Sequence, residues 1–181
     1  MLESSVLYEL VDDGLTVTHS IRNESDSAAP VAIGTHPFLK IGGVPTESLT
    51  LTVHASTRFP VDERLNVSAE VPVDGRYDLR GGQVLSEVSL DDAFGGLSKV
   101  GEVAATLTAP DGRSVSLWQD DNFPYVQIYT TGVFPADGGV VNAVAIEPMT
   151  APADAFNSGQ SLKWLTPGET WNASWGIRYT A

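Results

Sequence analysis

Apolar residues recur at every second position along much of this chain, and nowhere do they hold a 3.6-residue period over the length of a helix. Leu15, Val17, His19 and Ile21 share one face of a run whose other face carries Thr16, Thr18, Ser20 and Arg22. That is the pattern of a half-buried strand, because successive side chains of extended backbone point to opposite sides. The alternation returns with Leu49, Leu51 and Val53 against Thr50, Thr52 and His54, and again in Val103, Ala105 and Leu107, in Val115 and Leu117, and in Val126, Ile128 and Thr130. Turn-forming clusters separate the runs: Asp12-Asp13-Gly14, Asn23 to Asp26, Gly42-Gly43, Asp74-Gly75, Gly81-Gly82, Asp111-Gly112 and Asp137-Gly138-Gly139. Pro110-Asp111-Gly112-Arg113, lying between two alternating runs, predicts an antiparallel hairpin, since Pro and Asp-Gly supply the turn dihedrals directly. The best helix candidate is short, Pro152 to Asn157 with Gly159 after it, and predicts one or two turns. Short strands, tight turns and no interleaved helices predict an all-β antiparallel sandwich or barrel rather than a parallel α/β fold.

At 181 residues and 42% hydrophobic, the chain suits a single domain over 1–181 with a core of its own. The absence of cysteine excludes a disulfide framework and any Cys-ligated metal site. A net charge of −13, with only ten Lys and Arg, opposes binding to nucleic acid, which needs cations against phosphate. The first residues carry no basic start followed by an apolar stretch, and no window approaches the roughly 18 apolar residues of a membrane span. A soluble, cytoplasmic protein without a membrane partner is the expectation. Asp120-Asp121-Asn122 lacks both calcium-loop spacing and flanking His ligands, so it reads as a solvated turn and no metal is expected.

Three histidines occur. His54 falls on the threonine face of its run, toward water, and His19 on the apolar face, as a hydrogen-bonded core residue. His36 sits in Ile33-Gly34-Thr35-His36-Pro37-Phe38-Leu39-Lys40, where an apolar strand is expected to end. An imidazole there, two residues from an aromatic ring, suits either a general acid beside a stacking surface or a solvated structural histidine. Glu147 lies in Val144-Ala145-Ile146-Glu147-Pro148-Met149, expected directly after an apolar strand and clamped by Pro148 and Pro152. It reads either as a general base tuned by burial and hydrogen bonds or as an edge glutamate tying down a loop. Asp91 and Asp92 precede Ala93-Phe94; one of them could reach a ligand hydroxyl, and the residues alone do not rank the two.

Thr-His-Pro-Phe at 35–38, Leu-Asp-Asp-Ala-Phe at 90–94, Ile-Glu-Pro-Met-Thr-Ala-Pro at 146–152, Asp-Ala-Phe-Asn at 154–157 and Leu-Thr-Pro-Gly-Glu at 165–169 occur in this order, and Trp175-Gly176-Ile177 closes the series. Together they resemble the aldose 1-epimerase (galactose mutarotase-like) family. The resemblance implies a large antiparallel β-sandwich, no cofactor, and interconversion of the α and β anomers of a free aldose such as glucose or galactose. By position it implies that His36 donates a proton to the ring oxygen, that Glu147 deprotonates the anomeric hydroxyl, and that Asp91 holds sugar hydroxyls. Phe38 is the aromatic candidate for the sugar's apolar face, whereas most of the four tryptophans suit core packing.

Members of that family are longer, so the resemblance also implies that N-terminal strands are missing, and with them an arginine and a second histidine that contact the sugar. Uncovered edges would favour a homodimer or a missing N-terminal segment supplied in trans. Three other readings stay open: a non-catalytic or vestigial carbohydrate-binding domain, a glycoside hydrolase using Asp91 and Glu147, and a relative acting on hexose 6-phosphates. The hydrolase leaves His36 unused. The phosphate reading finds only Lys40 and Lys163 near the motifs.

Overall fold

Extended backbone satisfies its N–H and C=O groups only by pairing with neighbours, and the structure, a computed structural model describing residues 1–99 and 101–181, does so in antiparallel ladders. In chain order the strands are β1 (Leu2–Val11), β2 (Gly14–Asn23), β3 (Ala29–Val31), β4 (Phe38–Leu39), β5 (Thr50–Val53), β6 (Thr57–Phe59), β7 (Val71–Pro72) and β8 (Gln83–Val84). There follow β9 (Asp91–Gly95), β10 (Val103–Thr108), β11 (Ser114–Gln119), β12 (Tyr125–Ala136), β13 (Gly139–Met149), helix α1 (Ala155–Ser158), β14 (Lys163–Leu165) and β15 (Thr170–Thr180). Seven strands form one sheet in the order β1-β2-β15-β11-β10-β5-β8, and six form a second in the order β4-β13-β12-β9-β6-β7. A short β14-β3 pair stands apart from both. Of the sandwich or barrel that the alternation predicts, the antiparallel sandwich that the resemblance implies is the fold observed.

The alternating apolar faces meet between the two sheets. Val17, Leu51, Val53, Leu107, Leu117 and Trp175 from the first sheet, and Phe94, Val126, Ile128, Val144 and Ile146 from the second, form one buried cluster. Each such side chain stabilises the fold by roughly 1.5–3 kcal/mol through burial. The expected hairpin is present: the Gly112 amide donates to the Ala109 carbonyl at 3.0 Å, and the Ala109 amide to the Arg113 carbonyl at 2.8 Å. Gly112 has φ +91° there, a conformation glycine adopts without a steric cost. The expected short helix is α1, a single turn ended by Gly159, whose amide caps the Ala155 carbonyl at 2.8 Å.

Of the histidines set aside from catalysis, His19 accepts the Trp175 indole N–H at 3.0 Å, and burial pushes its pKa down, as suits a core residue. His54 lies just past the end of β5 and is half-buried rather than turned to water. Asp120 holds its turn, accepting the amides of Asn122 and Ser174 at 2.8 Å each. Among the tryptophans, Trp175 is buried while Trp164, on β14, is exposed.

The alternation did not reveal β1. Its sequence, LESSVLYELV, has no clean period of two, and every residue of it is exposed. It is extended because all ten residues pair with β2. Its far side is the free edge of the larger sheet, with Leu7, Tyr8 and Leu10 open to solvent. Among the described residues no helix is long and apolar enough to cross a membrane.

Candidate active site

The second sheet turns one face to the core and the other outward, and register decides which side chains share the outward face. Gln127 on β12 stands opposite Glu147 on β13 and Ala93 on β9; Tyr129 stands opposite Ala145 and Asp91; Phe59 on β6 stands opposite Ala93. Directly paired residues point the same way, so Phe59, Asp91, Gln127, Tyr129 and Glu147 lie on one surface. They line a cleft of about 400 Å³ together with His36, Val61, Leu65, Val67, Ala93, Met149 and Ala153.

Glu147 is not beyond its strand. β13 continues to Met149, and Pro148 sits buried within it. Pro148 interrupts no needed bond as an acceptor, since its carbonyl receives the Thr35 amide at 3.3 Å. The strand expected to end at His36 stops earlier, with β3 closing at Val31. From Gly34, which bridges to Met149, the chain runs beside β13 as irregular backbone. The Thr35 amide on Pro148 and the Ile146 amide, which donates to Pro37 at 3.2 Å, fix the loop on either side of His36. The backbone is held there by Gly34 and the prolines rather than by strand propensity.

This pinning brings His36 Nε2 within 3.1 Å of Glu147 Oε1. The two are unequally placed: the His36 side chain is 54% exposed and that of Glu147 only 13%. Burial pushes the Glu147 pKa up to about 7; the His36 charge opposes the rise and the Asp91 carboxylate adds to it. A carboxyl beside an imidazole, titrating near neutrality, can take up and return a proton at ordinary pH.

Asp91 lines the cleft, and register explains why Asp92 does not. Asp92 pairs with Ile128 on the core-facing side, 3.8 Å from Arg58, and burial raises its pKa. Asp91 Oδ1 accepts Gln127 Nε2 at 2.7 Å. Phe38 does not line the cleft. Paired with Ala145, it shares the outward face beside the cleft, its ring 5.0 Å from the His36 ring and 4.5 Å from that of Phe134. Gln127 and Tyr129 were missed because the reading of β12 followed its apolar residues; the signal was the polar face of the same alternation. Among the described residues no three His, Asp or Glu side chains converge as metal ligands.

The raised Glu147 pKa links the site to stability. The folded form holds its proton to higher pH than the unfolded chain, so the stability this group contributes is fully present below the ordinary value of 4.5 and is lost as pH rises through about 7. Glu147→Gln removes the ionisation, so this variant should melt higher than wild type above pH 8 and show a smaller advantage at pH 5. Parallel pH-dependent melts check it; the same difference at both pH values would contradict the raised pKa.

A model of the aldose 1-epimerase family matches residues 1–178. The uncharacterized protein YihR of Escherichia coli K12 is 32% identical over 173 residues, an alignment covering 93% of this chain and 53% of YihR. The chain thus spans about half the length of the curated relative it matches. A putative aldose 1-epimerase from E. coli K12 superposes with a TM-score of 0.81 at 20% identity, covering 99% of this chain and 60% of that one. A galactose mutarotase-like protein from Clostridium acetobutylicum gives 0.83 at 20% identity, covering 99% and 56%. A galactose 1-epimerase from Lactobacillus acidophilus gives 0.79 at 20% identity, covering 99% and 57%. At such identities these structures establish likeness of fold.

Proposed function

Because the chain belongs to the aldose 1-epimerase family, we propose that it interconverts the α and β anomers of a free aldohexose, with Glu147 and His36 as its proton-transfer pair. The observation that carries this reading is their 3.1 Å approach at the wall of one sugar-sized cleft, with the Glu147 pKa near 7. Glu147 takes the proton of the anomeric hydroxyl while His36 gives one to the ring oxygen; the bond from C1 to the ring oxygen breaks and C1 becomes an aldehyde. Rotation about C1–C2 presents the other carbonyl face. Closure then runs both transfers backwards, His36 recovering its proton from the attacking hydroxyl and Glu147 returning its own to the former carbonyl oxygen. No atom or electron is gained or lost, so the chemistry calls for no co-reactant.

Asp91 and Gln127, already joined, offer remaining lone pairs and an N–H to sugar hydroxyls. Phe38 supports the histidine ring. Among the described residues neither Lys nor Arg lines the cleft, which favours a neutral sugar over a hexose 6-phosphate. In a second reading the cleft binds a sugar through Asp91 and Gln127 without turning it over.

Polarimetry of freshly dissolved α-glucose and α-galactose separates the two. On the catalytic reading the chain speeds equilibration, the rate passes through a maximum with pH because Glu147 must be ionised while His36 keeps its proton, with the rising limb near pH 7, and His36→Asn loses about 10²-fold or more. A folded chain that binds sugar yet leaves the buffer rate unchanged would establish the binding reading instead.

A further inference from the structure

The contact of Nε2 with Glu147 fixes one corner of the His36 ring but not its plane, and the side chain is 54% exposed. Proton transfer to a sugar needs the plane as well, because an imidazole N–H lies within it. Aromatic neighbours set that plane. Phe38 packs against His36 at 5.0 Å with 33° between the rings, and Tyr129 meets the same ring edge to face at 6.0 Å and 71°. Phe38 and Tyr129 stand edge to face at 6.4 Å, so the three rings close a triangle in which each pair lies within attractive range.

Phe38 is itself an exposed residue of a two-residue strand, and its brace comes from Phe134, 4.5 Å away. Phe134 lies toward the far end of β12 and does not line the cleft. It shares the outward face only because β12 is bulged. Gln127, Tyr129 and Thr131 point outward by alternation, which would send Phe134 to the opposite face. The register slips on the way: Thr131 stands opposite Ala143 but Phe134 opposite Val141, three steps along β12 against two along β13. The extra residue reverses the phase and sets Phe134 on the same face as Val141, Ala145 and Glu147. Re-aiming a side chain beside a site is a recurrent use of a bulge.

Building on the proton-transfer roles of His36 and Glu147, we propose that Phe134 is a positioning residue for the reaction. The β12 bulge turns its ring onto Phe38, and Phe38, closed in by Tyr129, holds the plane of the His36 imidazole.

Phe134→Ala should lower kcat for glucose anomer exchange about tenfold, the upper end of what one aromatic pair is worth, and leave KM within about twofold, because the ring supports His36 and does not touch the sugar. Phe134→Tyr keeps the ring and should restore most of the rate. In a Phe38→Ala background the loss of Phe134 should cost little more, whereas a general loosening of the sheet would cost as much in either background. The His36 ring protons, assigned by their absence in His36→Asn, read the cluster by NMR without turnover; their shifts should move in Phe134→Ala and return in Phe134→Tyr. Unmoved His36 resonances, or an equal loss of kcat with and without Phe38, would overturn the positioning role. No anomer exchange by wild type would sink the catalytic reading alone, and the His36 resonances would still decide whether Phe134 sets the ring.

Discussion

Glu147→Gln should slow anomer interconversion by about 10²- to 10⁴-fold, the range that a positioned general acid or base contributes. Glutamine keeps the shape and can still meet His36, but it cannot accept the anomeric proton. The loss should fall on kcat with KM little changed, because the interaction removed is one made during proton transfer rather than on binding. Wild type and variant should give the same circular dichroism, and the variant should no longer show the rise in rate near pH 7 that follows from the raised Glu147 pKa. A variant retaining more than about a third of the wild-type kcat would assign the base to another group, since so small a loss lies far below that range.

Phe94→Ala should produce the largest loss of stability. Phe94 is fully buried on β9 and belongs to the main core cluster. Truncating such a ring removes its burial energy and leaves a cavity that close-packed neighbours fill only in part, a cost of about 3–5 kcal/mol. Against the roughly 5–15 kcal/mol that holds a typical domain folded, this is a large fraction, equivalent to about 6–20 °C in Tm for a chain of this size. Thermal and urea melts measure it. The effect should reach the site as well, because the same strand carries Asp91 and stands opposite Gln127 through Ala93. A loss below about 1 kcal/mol would mean that the core beneath β9 repacks freely.

The strands legible in the sequence are those with one face buried and one wet, such as β5, where Leu51 and Val53 alternate with Thr50 and Thr52. Burial imposes the period there, so the period reports the fold. β1 escaped detection because neither of its faces is buried, and pairing to β2 alone holds it extended. The expectation of a strand ending at His36 failed for a related reason: Gly34-Thr35-His36-Pro37 follows β13 through a bridge and two backbone bonds made by distant residues, which local pattern does not encode.

At the site, residue types were readable but directions were not. Asp91 and Asp92 are neighbours with the same chemistry, and only the pairing of Tyr129 with Asp91 and of Ile128 with Asp92 sends one to the cleft and the other toward the core. Gln127 follows the same rule, since its place beside Glu147 depends on the register between β12 and β13. Phe38, on β4 opposite Ala145, shares the outward face, with its ring beside that of His36 rather than among the residues lining the cleft.

The central claim is that His36 and Glu147 move protons on a sugar, and the most direct measurement is two-dimensional exchange NMR on glucose at anomeric equilibrium, with and without the chain. The account predicts cross-peaks between the α and β anomeric protons that grow with protein concentration and vanish in Glu147→Gln. A spectrum of well-folded wild-type protein at about pH 7.5, just above the Glu147 pKa of about 7, showing no exchange beyond buffer would contradict it.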